Sequence, residues 1–198
     1  MIVLGIDPGT ALTGFGVVTD EGGPEPHGRR SAPARPLTGT GRLHLVECGV
    51  IRTRPRDPLA SRLLEIHAAV AALIARHRPG ILAVEGVFYA RNVRTTLALG
   101  QARGVVLLAG VEAEVAIREY PPAEIKKAVV GTGTATKEQV QFMLARLLHL
   151  RATPQPADAA DGVAAAITCL LTRHMDLLTQ QRTERHLRRP RAHEGGAR

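Results

Sequence analysis

Two short apolar runs, each closed by an acid, constrain this chain more than anything else in it. Residues 2–6 read Ile-Val-Leu-Gly-Ile and are followed by Asp7, Pro8 and Gly9. Residues 81–84 read Ile-Leu-Ala-Val and are followed by Glu85. Runs this short, flanked by turn residues, predict buried strands. An acid just past such a strand stands at the rim of a sheet, where it can meet solvent or substrate. Asp7 has a plainer use too, since Asp often hydrogen-bonds the turn it precedes. Gly9, Gly14 and Gly16 let the backbone turn and pass close to something bulky.

The chain between and beyond these runs supplies alternating elements. Residues 15–19 predict a second strand in a hairpin with the first. Residues 43–53 predict a third strand, bent at Gly49. Pro58 precedes an amphipathic helix in which Leu59, Leu63, Ile66, Val70, Leu73 and His77 recur at helical spacing, closed by Pro79 and Gly80. Asn92 caps a helix to about Gly110. Its Ala98, Gly100, Ala102, Gly104 and Ala109 suit either a helix from a second subunit or a tight seat on its own sheet. Residues 114–118 predict the last strand. Three helices follow, over about 121–129, from a Thr134 or Thr136 cap to Leu150, and over about 157–174. A hairpin followed by alternating strands and helices predicts an α/β chain with a mixed sheet and helices on its faces. Strands joined by a helix are normally parallel. If the strands of Asp7 and Glu85 are parallel neighbours, both acids leave at one sheet edge, where such folds place their sites.

Composition narrows the setting. A chain of 198 residues suits one domain with a real core. No apolar run reaches membrane-spanning length, and no basic stretch precedes an apolar leader, so the expectation is cytoplasmic with no membrane partner. Cys48 and Cys169 are too few for a disulfide framework or a zinc site. The net charge of +8 suits a polyanionic partner.

The last helix opens with Asp158 and Asp161, three residues apart and so on one face. Acids in a first turn also complement the helix dipole. Capping alone leaves the apolar surroundings unexplained: Ala157, Ala159, Ala160, Val163 and Ile167 predict a buried helix. Asp7, Glu85, Asp158 and Asp161 would repel one another if gathered, unless a cation joined them. An oxygen-only donor set without His or Cys fits Mg²⁺ or Mn²⁺ rather than zinc. Two such ions, ~3.5–4 Å apart, can activate a water and stabilise a leaving oxygen in phosphoryl chemistry. The competing reading is four acids with separate structural roles.

Five separated motifs now carry a resemblance. They are Gly5-Ile6-Asp7-Pro8-Gly9, Ala83-Val84-Glu85-Gly86-Val87-Phe88, Gly100-Gln101-Ala102-Arg103-Gly104, Val129-Val130-Gly131 and Ala157-Asp158-Ala159-Ala160-Asp161. In this order the chain resembles the RuvC family, the bacterial Holliday-junction resolvases. The resemblance implies a ribonuclease-H-like fold with a five-stranded mixed sheet flanked by helices on both faces. It implies a homodimer that makes paired, symmetric, Mg²⁺-dependent nicks in a four-way junction during recombination and repair. Metal-activated water would attack in line, leaving a 5′-phosphate and a 3′-hydroxyl. By the same resemblance Asp7, Glu85, Asp158 and Asp161 match the catalytic, metal-holding acids, with two ions per site and Mn²⁺ as a substitute. Phe88 matches a base-stacking aromatic, a contact worth ~1–3 kcal/mol. Lys126 and Lys137 match lysines near DNA phosphates. A branch-migration helicase complex is the implied protein partner. The domain reading is one nuclease domain over 1–175, a flexible insertion at about 21–42, and a disordered basic tail over 176–198.

Two other classes remain open at this stage. A junction-binding protein without cleavage could act through phosphate contacts alone, but would not need four placed acids. An actin-like phosphotransferase also carries an Asp-x-Gly-Thr turn after its first strand, as in Asp7-Pro8-Gly9-Thr10, but generally needs two related domains. The Gly131-Thr132-Gly133 stretch lacks the spacing of a phosphate-binding loop.

Overall fold

The computed structural model describes residues 1–20, 43–86 and 92–187. The expected insertion over 21–42, Phe88, Tyr89 and the last residues from 188 lie outside this set. Five strands form one mixed sheet: β1 (Ile2–Asp7), β2 (Leu12–Thr19), β3 (His44–Arg52), β4 (Ile81–Glu85) and β5 (Ala116–Tyr120). Their order is β3-β2-β1-β4-β5. β1 pairs antiparallel with β2 and parallel with β4; β2 and β3 are antiparallel, and β4 and β5 are parallel. Helices α1 (Leu59–His77) and α2 (Val93–Glu112) cover one face. Helices α3 (Pro122–Val130), α4 (Lys137–Leu147) and α5 (Ala157–Leu187) belong to the other. The expected five-stranded mixed sheet with helices on both faces is therefore observed.

Alternation along the strands builds two cores. Leu4, Ile6, Leu82 and Val84 pack with Ile66, Val70, Leu73 and Val106 of α1 and α2. Val3, Val18 and Ala83 face α5. From Ala159 to Leu170 almost every α5 side chain is buried except Asp161's, which is half-buried. A helix buried this fully is covered on more than one side: the sheet lies beneath it, and α3 and α4 pack on it as well.

Several boundaries depart from expectation. β2 starts at Leu12 rather than Phe15, so Gly14 joins Gly16 inside the strand. The irregularity in β3 is a bulge: Val17 pairs with Glu47 but Val18 pairs with Leu45, leaving Val46 as the extra residue. Gly49 keeps regular register and leaves room for the Phe15 ring. β5 begins at Ala116 because α2 runs on to Glu112 and Glu114 takes φ 55°, which no strand residue adopts. α4 ends at Leu147, and His149 turns the chain with φ 52°. α5 continues to Leu187, past the expected end at His174. No Gly or Pro interrupts 175–187, and Leu, Gln, Arg and Glu favour helix there.

Candidate active site

Two strand ends make the floor of the site. Ile6 of β1 pairs with Val84 of β4 in parallel register. Asp7 and Glu85, one residue further on, leave the sheet at the same edge. By alternation Asp7 shares a face with Val3, and Glu85 with Ala83. That face is the one covered by α5.

Missing side chains bring α5 close enough to complete the set. Gly14 pairs with Asp7 across the β1–β2 ladder. A Cβ on Gly14 would overlap the Asp158 carbonyl oxygen, and a Cβ on Gly5 would overlap that of Gly162. On Gly16 a Cβ would lie 2.5 Å from Val163 Cα. The helix thus rests on β1 and β2 backbone to backbone. Its first turns hold Asp158 and Asp161 beside Asp7. The sequence reading expected Gly14 and Gly16 to let the backbone turn and pass close to something bulky, without naming α5 as that neighbour, and it gave Gly5 and Gly162 no such role. Glycines two apart inside an apolar strand pattern were the available sign of close approach.

The cations come from the helices packed on α5. Thr136 caps α4 through a capping box with Gln139, which fixes Lys137 as the first helical residue. Its ammonium donates to Asp161 Oδ2 at 2.7 Å. α3 carries Lys126. A cavity of about 190 Å³ is lined by Glu85, Lys126, Lys137 and Asp161, with Ile125 and Val140 as apolar walls.

Electrostatics shows how tightly the acids are gathered. Burial, then the charge of Asp161, pushes Asp7 up to about 7, with Asp158 adding to the rise and Lys137 opposing it. Burial, then Asp7 and Asp161, pushes Glu85 up to about 8, against the pull of Lys137 and Lys126. Burial also raises Asp161, although its Lys137 bond works the other way. Burial disfavours the Lys137 charge, but the Asp161 carboxylate outweighs it and the ammonium is held more firmly. Carboxyls shifted this far in one cleft mark a functional site more often than a structural one.

The structure thus brings Asp7, Glu85, Asp161 and Lys137 together. Asp158 is a close charged neighbour of Asp7, and Lys126 of Glu85. The donor set is all oxygen, partly desolvated and short of positive charge, which fits a hard divalent cation. Among the described residues no three acidic, His or Cys side chains already form a tight cage, so carboxylate rotation would have to close one.

Comparison with known proteins follows the same line. A family model described as "Crossover junction endodeoxyribonuclease RuvC" matches residues 37–169. A protein of that name from Pelotomaculum thermopropionicum is 42% identical over 167 residues, covering 84% of this chain and 91% of its own length. The Thermus thermophilus RuvC structure superposes with a TM-score of 0.76 at 35% identity, over 89% of this chain and 97% of that one. A T. thermophilus RuvC structure in complex with Holliday junction substrate gives a TM-score of 0.76 at 34% identity, over 89% and 96% of the two chains.

Proposed function

This chain belongs to the RuvC family of crossover junction endodeoxyribonucleases, and on that premise we propose that Asp7, Glu85, Asp158 and Asp161 form its catalytic, metal-holding centre. The protein is a Holliday-junction resolvase of ribonuclease-H-like fold, a hydrolase of phosphodiester bonds that depends on a divalent metal. The finer reading is two Mg²⁺ ions per site, replaceable by Mn²⁺. The observation that carries it is the convergence of two parallel strand ends and the first turns of α5 on one cleft, where burial first and neighbouring charge second push the Asp7 and Glu85 carboxyls up. Bound there, the metal would supply an activated water and charge relief for the leaving oxygen.

The chain's own groups have separate tasks. Asp7 and Glu85 hold protons near neutral pH and must release them to act as ligands. Lys137 balances Asp161, and its ammonium is close enough to the acids to meet a phosphate placed over them. Lys126, at the cavity wall beside Glu85, can offer a second phosphate contact. Phe88 follows Glu85 by three residues and is assigned to base stacking on the family resemblance alone.

Dimerisation belongs to the same reading. Val93, Leu97, Leu108 and Val111 expose large apolar side chains on one side of α2. Gly100 and Gly104, at matching helical spacing, have open space where a side chain would stand. Ala102, Ala109 and Gly110 turn inward instead. The small residues of α2 therefore divide between its own sheet and a surface free for a second copy. Two identical sites on a two-fold axis suit two symmetric cuts. One nuclease domain over 1–175, a branch-migration helicase complex as partner and a cytoplasmic location complete the proposal. No helix among the described residues is long and apolar enough to cross a membrane.

A gel assay tests this directly, using a synthetic four-way junction and a matched linear duplex with Mg²⁺ or chelator. Paired symmetric nicks on the junction alone, with Mg²⁺ alone, are expected. Binding without nicks would return the protein to the class of junction binders and leave the acids structural.

A further inference from the structure

The edge that carries the acids also carries a set of arginines on its other flank. β3 is antiparallel to β2, and β2 to β1, so β3 runs in the same direction as β1 and β4. Its C-terminal end at Arg52 therefore lies at the edge of Asp7 and Glu85. The chain continues Thr53-Arg54-Pro55-Arg56.

This arginine segment is fastened to the hairpin that follows Asp7. Thr53 is buried, at 7% exposure. Its backbone N–H donates to the Ala11 carbonyl at 3.1 Å, and its hydroxyl donates to the Thr10 carbonyl. Arg62 Nε donates to the Thr53 hydroxyl at 3.0 Å from the first turns of α1. The Asp57 N–H closes a turn on the Arg54 carbonyl at 3.0 Å. Arg52, Arg54 and Arg56 are all exposed. Among the described residues none of the three has a carboxylate partner. Three guanidinium groups within five residues repel one another, and a polyanion relieves that repulsion.

Placement gives the patch a meaning. Lys126 of α3 and Lys137 of α4 stand on the β4–β5 side of the acids, lining one cavity with Glu85. The arginines stand on the β3 side, two strand spacings from β1, or about 10 Å. A DNA strand whose scissile phosphate rests on the acids would pass between two cationic flanks. We propose that Arg54 and Arg56, with Arg52 beside them, form a second phosphate-binding site that holds the DNA backbone on the β3 side of the cut. It rests on the junction-nuclease reading above. Guanidinium forks suit phosphate oxygens, and such contacts set register without reading sequence. The firm seat of Thr53 on the hairpin makes that register a property of the catalytic edge itself.

Salt dependence of junction binding tests the proposal, using the whole chain in chelator so that strands stay intact. R54A/R56A is expected to lower the slope of log K against log salt by about 1.8, at ~0.9 per phosphate contact. Each single variant is expected to lower it by about half as much, equally on junctions of different sequence. R54K/R56K keeps the charge and is expected to keep the slope. It also separates charge loss from any folding defect, which a melting curve would show. An unchanged slope in R54A/R56A, beside a wild type that binds the junction and cuts it with Mg²⁺, would overturn the second site and leave the nuclease reading standing. A wild type that does not bind the junction would overturn both.

Discussion

The two faces of the sheet are held in different ways. On the α1–α2 face, large side chains meet large side chains: Leu4, Ile6, Leu82 and Val84 interlock with Ile66, Val70, Leu73 and Ile74. On the α5 face, Gly5, Gly14 and Gly16 bring the strand backbone against the backbone of Gly162, Val163 and Asp158. An interlocked aliphatic face tolerates change, because neighbours can repack around a lost or added methyl group. A backbone-to-backbone seat cannot adjust in that way. The acids stand on the second face, so the rigid contact is the one that sets how far Asp158 and Asp161 lie from Asp7.

The largest expected effect breaks that seat. Gly14→Val or Gly5→Val places carbon atoms inside a backbone carbonyl, so the loss should exceed the ~1–3 kcal/mol of ordinary overpacking. Soluble yield and thermal melting would show it, and a variant that melts near the wild type would refute the rigid seat. On the opposite face, Leu82→Ala should cost about 2–5 kcal/mol by cavity formation. Its folded fraction should still cut a junction at the wild-type rate. A rate loss beyond the unfolded fraction would mean that the two faces are not separable.

Charge sharpens the same contrast. The folded-state values of Asp7 and Glu85, about 7 and about 8, lie above the ordinary 3.8 and 4.5. The unfolded chain therefore ionises first. Their contribution to stability is full below about pH 4 and is lost as pH rises through 7 and 8. Metal-free protein should accordingly melt lower at pH 8 than at pH 5. In Asp7→Asn that decline should shrink, and the melting temperature at pH 8 should rise while junction cleavage disappears and junction binding stays. An Asp7→Asn protein with an unaltered pH profile would separate Asp7 from the crowded cluster. The smallest stability effect is expected at the exposed α2 stripe. If α2 forms the proposed dimer face, Leu97→Glu should sediment as a monomer where the wild type sediments as a dimer, while moving the melting temperature little.

Much of this arrangement was legible in the sequence, for reasons that can be named. β1 and β4 announce themselves as apolar runs closed by an acid, and α1 by its periodicity. The Asp158–Asp161 spacing places both on one helical face. Other features were legible only in part. Gly14 and Gly16 read as positions for a turn or a close approach, but that the neighbour is α5 depends on how the helix packs on the sheet. The start of β5 depended on the left-handed backbone at Glu114, which no side-chain pattern announces. The extent of α5 was underestimated because basic, polar residues suggested a tail, although nothing in them breaks a helix. Lys137 could be matched to a family position, but its bond to Asp161 depends on how α4 packs on α5. Arg54 and Arg56 drew no attention in one dimension, since only the strand order brings the end of β3 to the edge of Asp7.

Buried, proton-bearing carboxyls on the α5 face are proposed to become the metal site. The most direct measurement is a calorimetric Mg²⁺ titration near pH 7 in two buffers of different ionisation enthalpy, for the wild type and Asp7→Asn. The wild type is expected to release protons as the metal binds, and Asp7→Asn to bind more weakly and release fewer. Equal affinity with no proton release in either protein would contradict it.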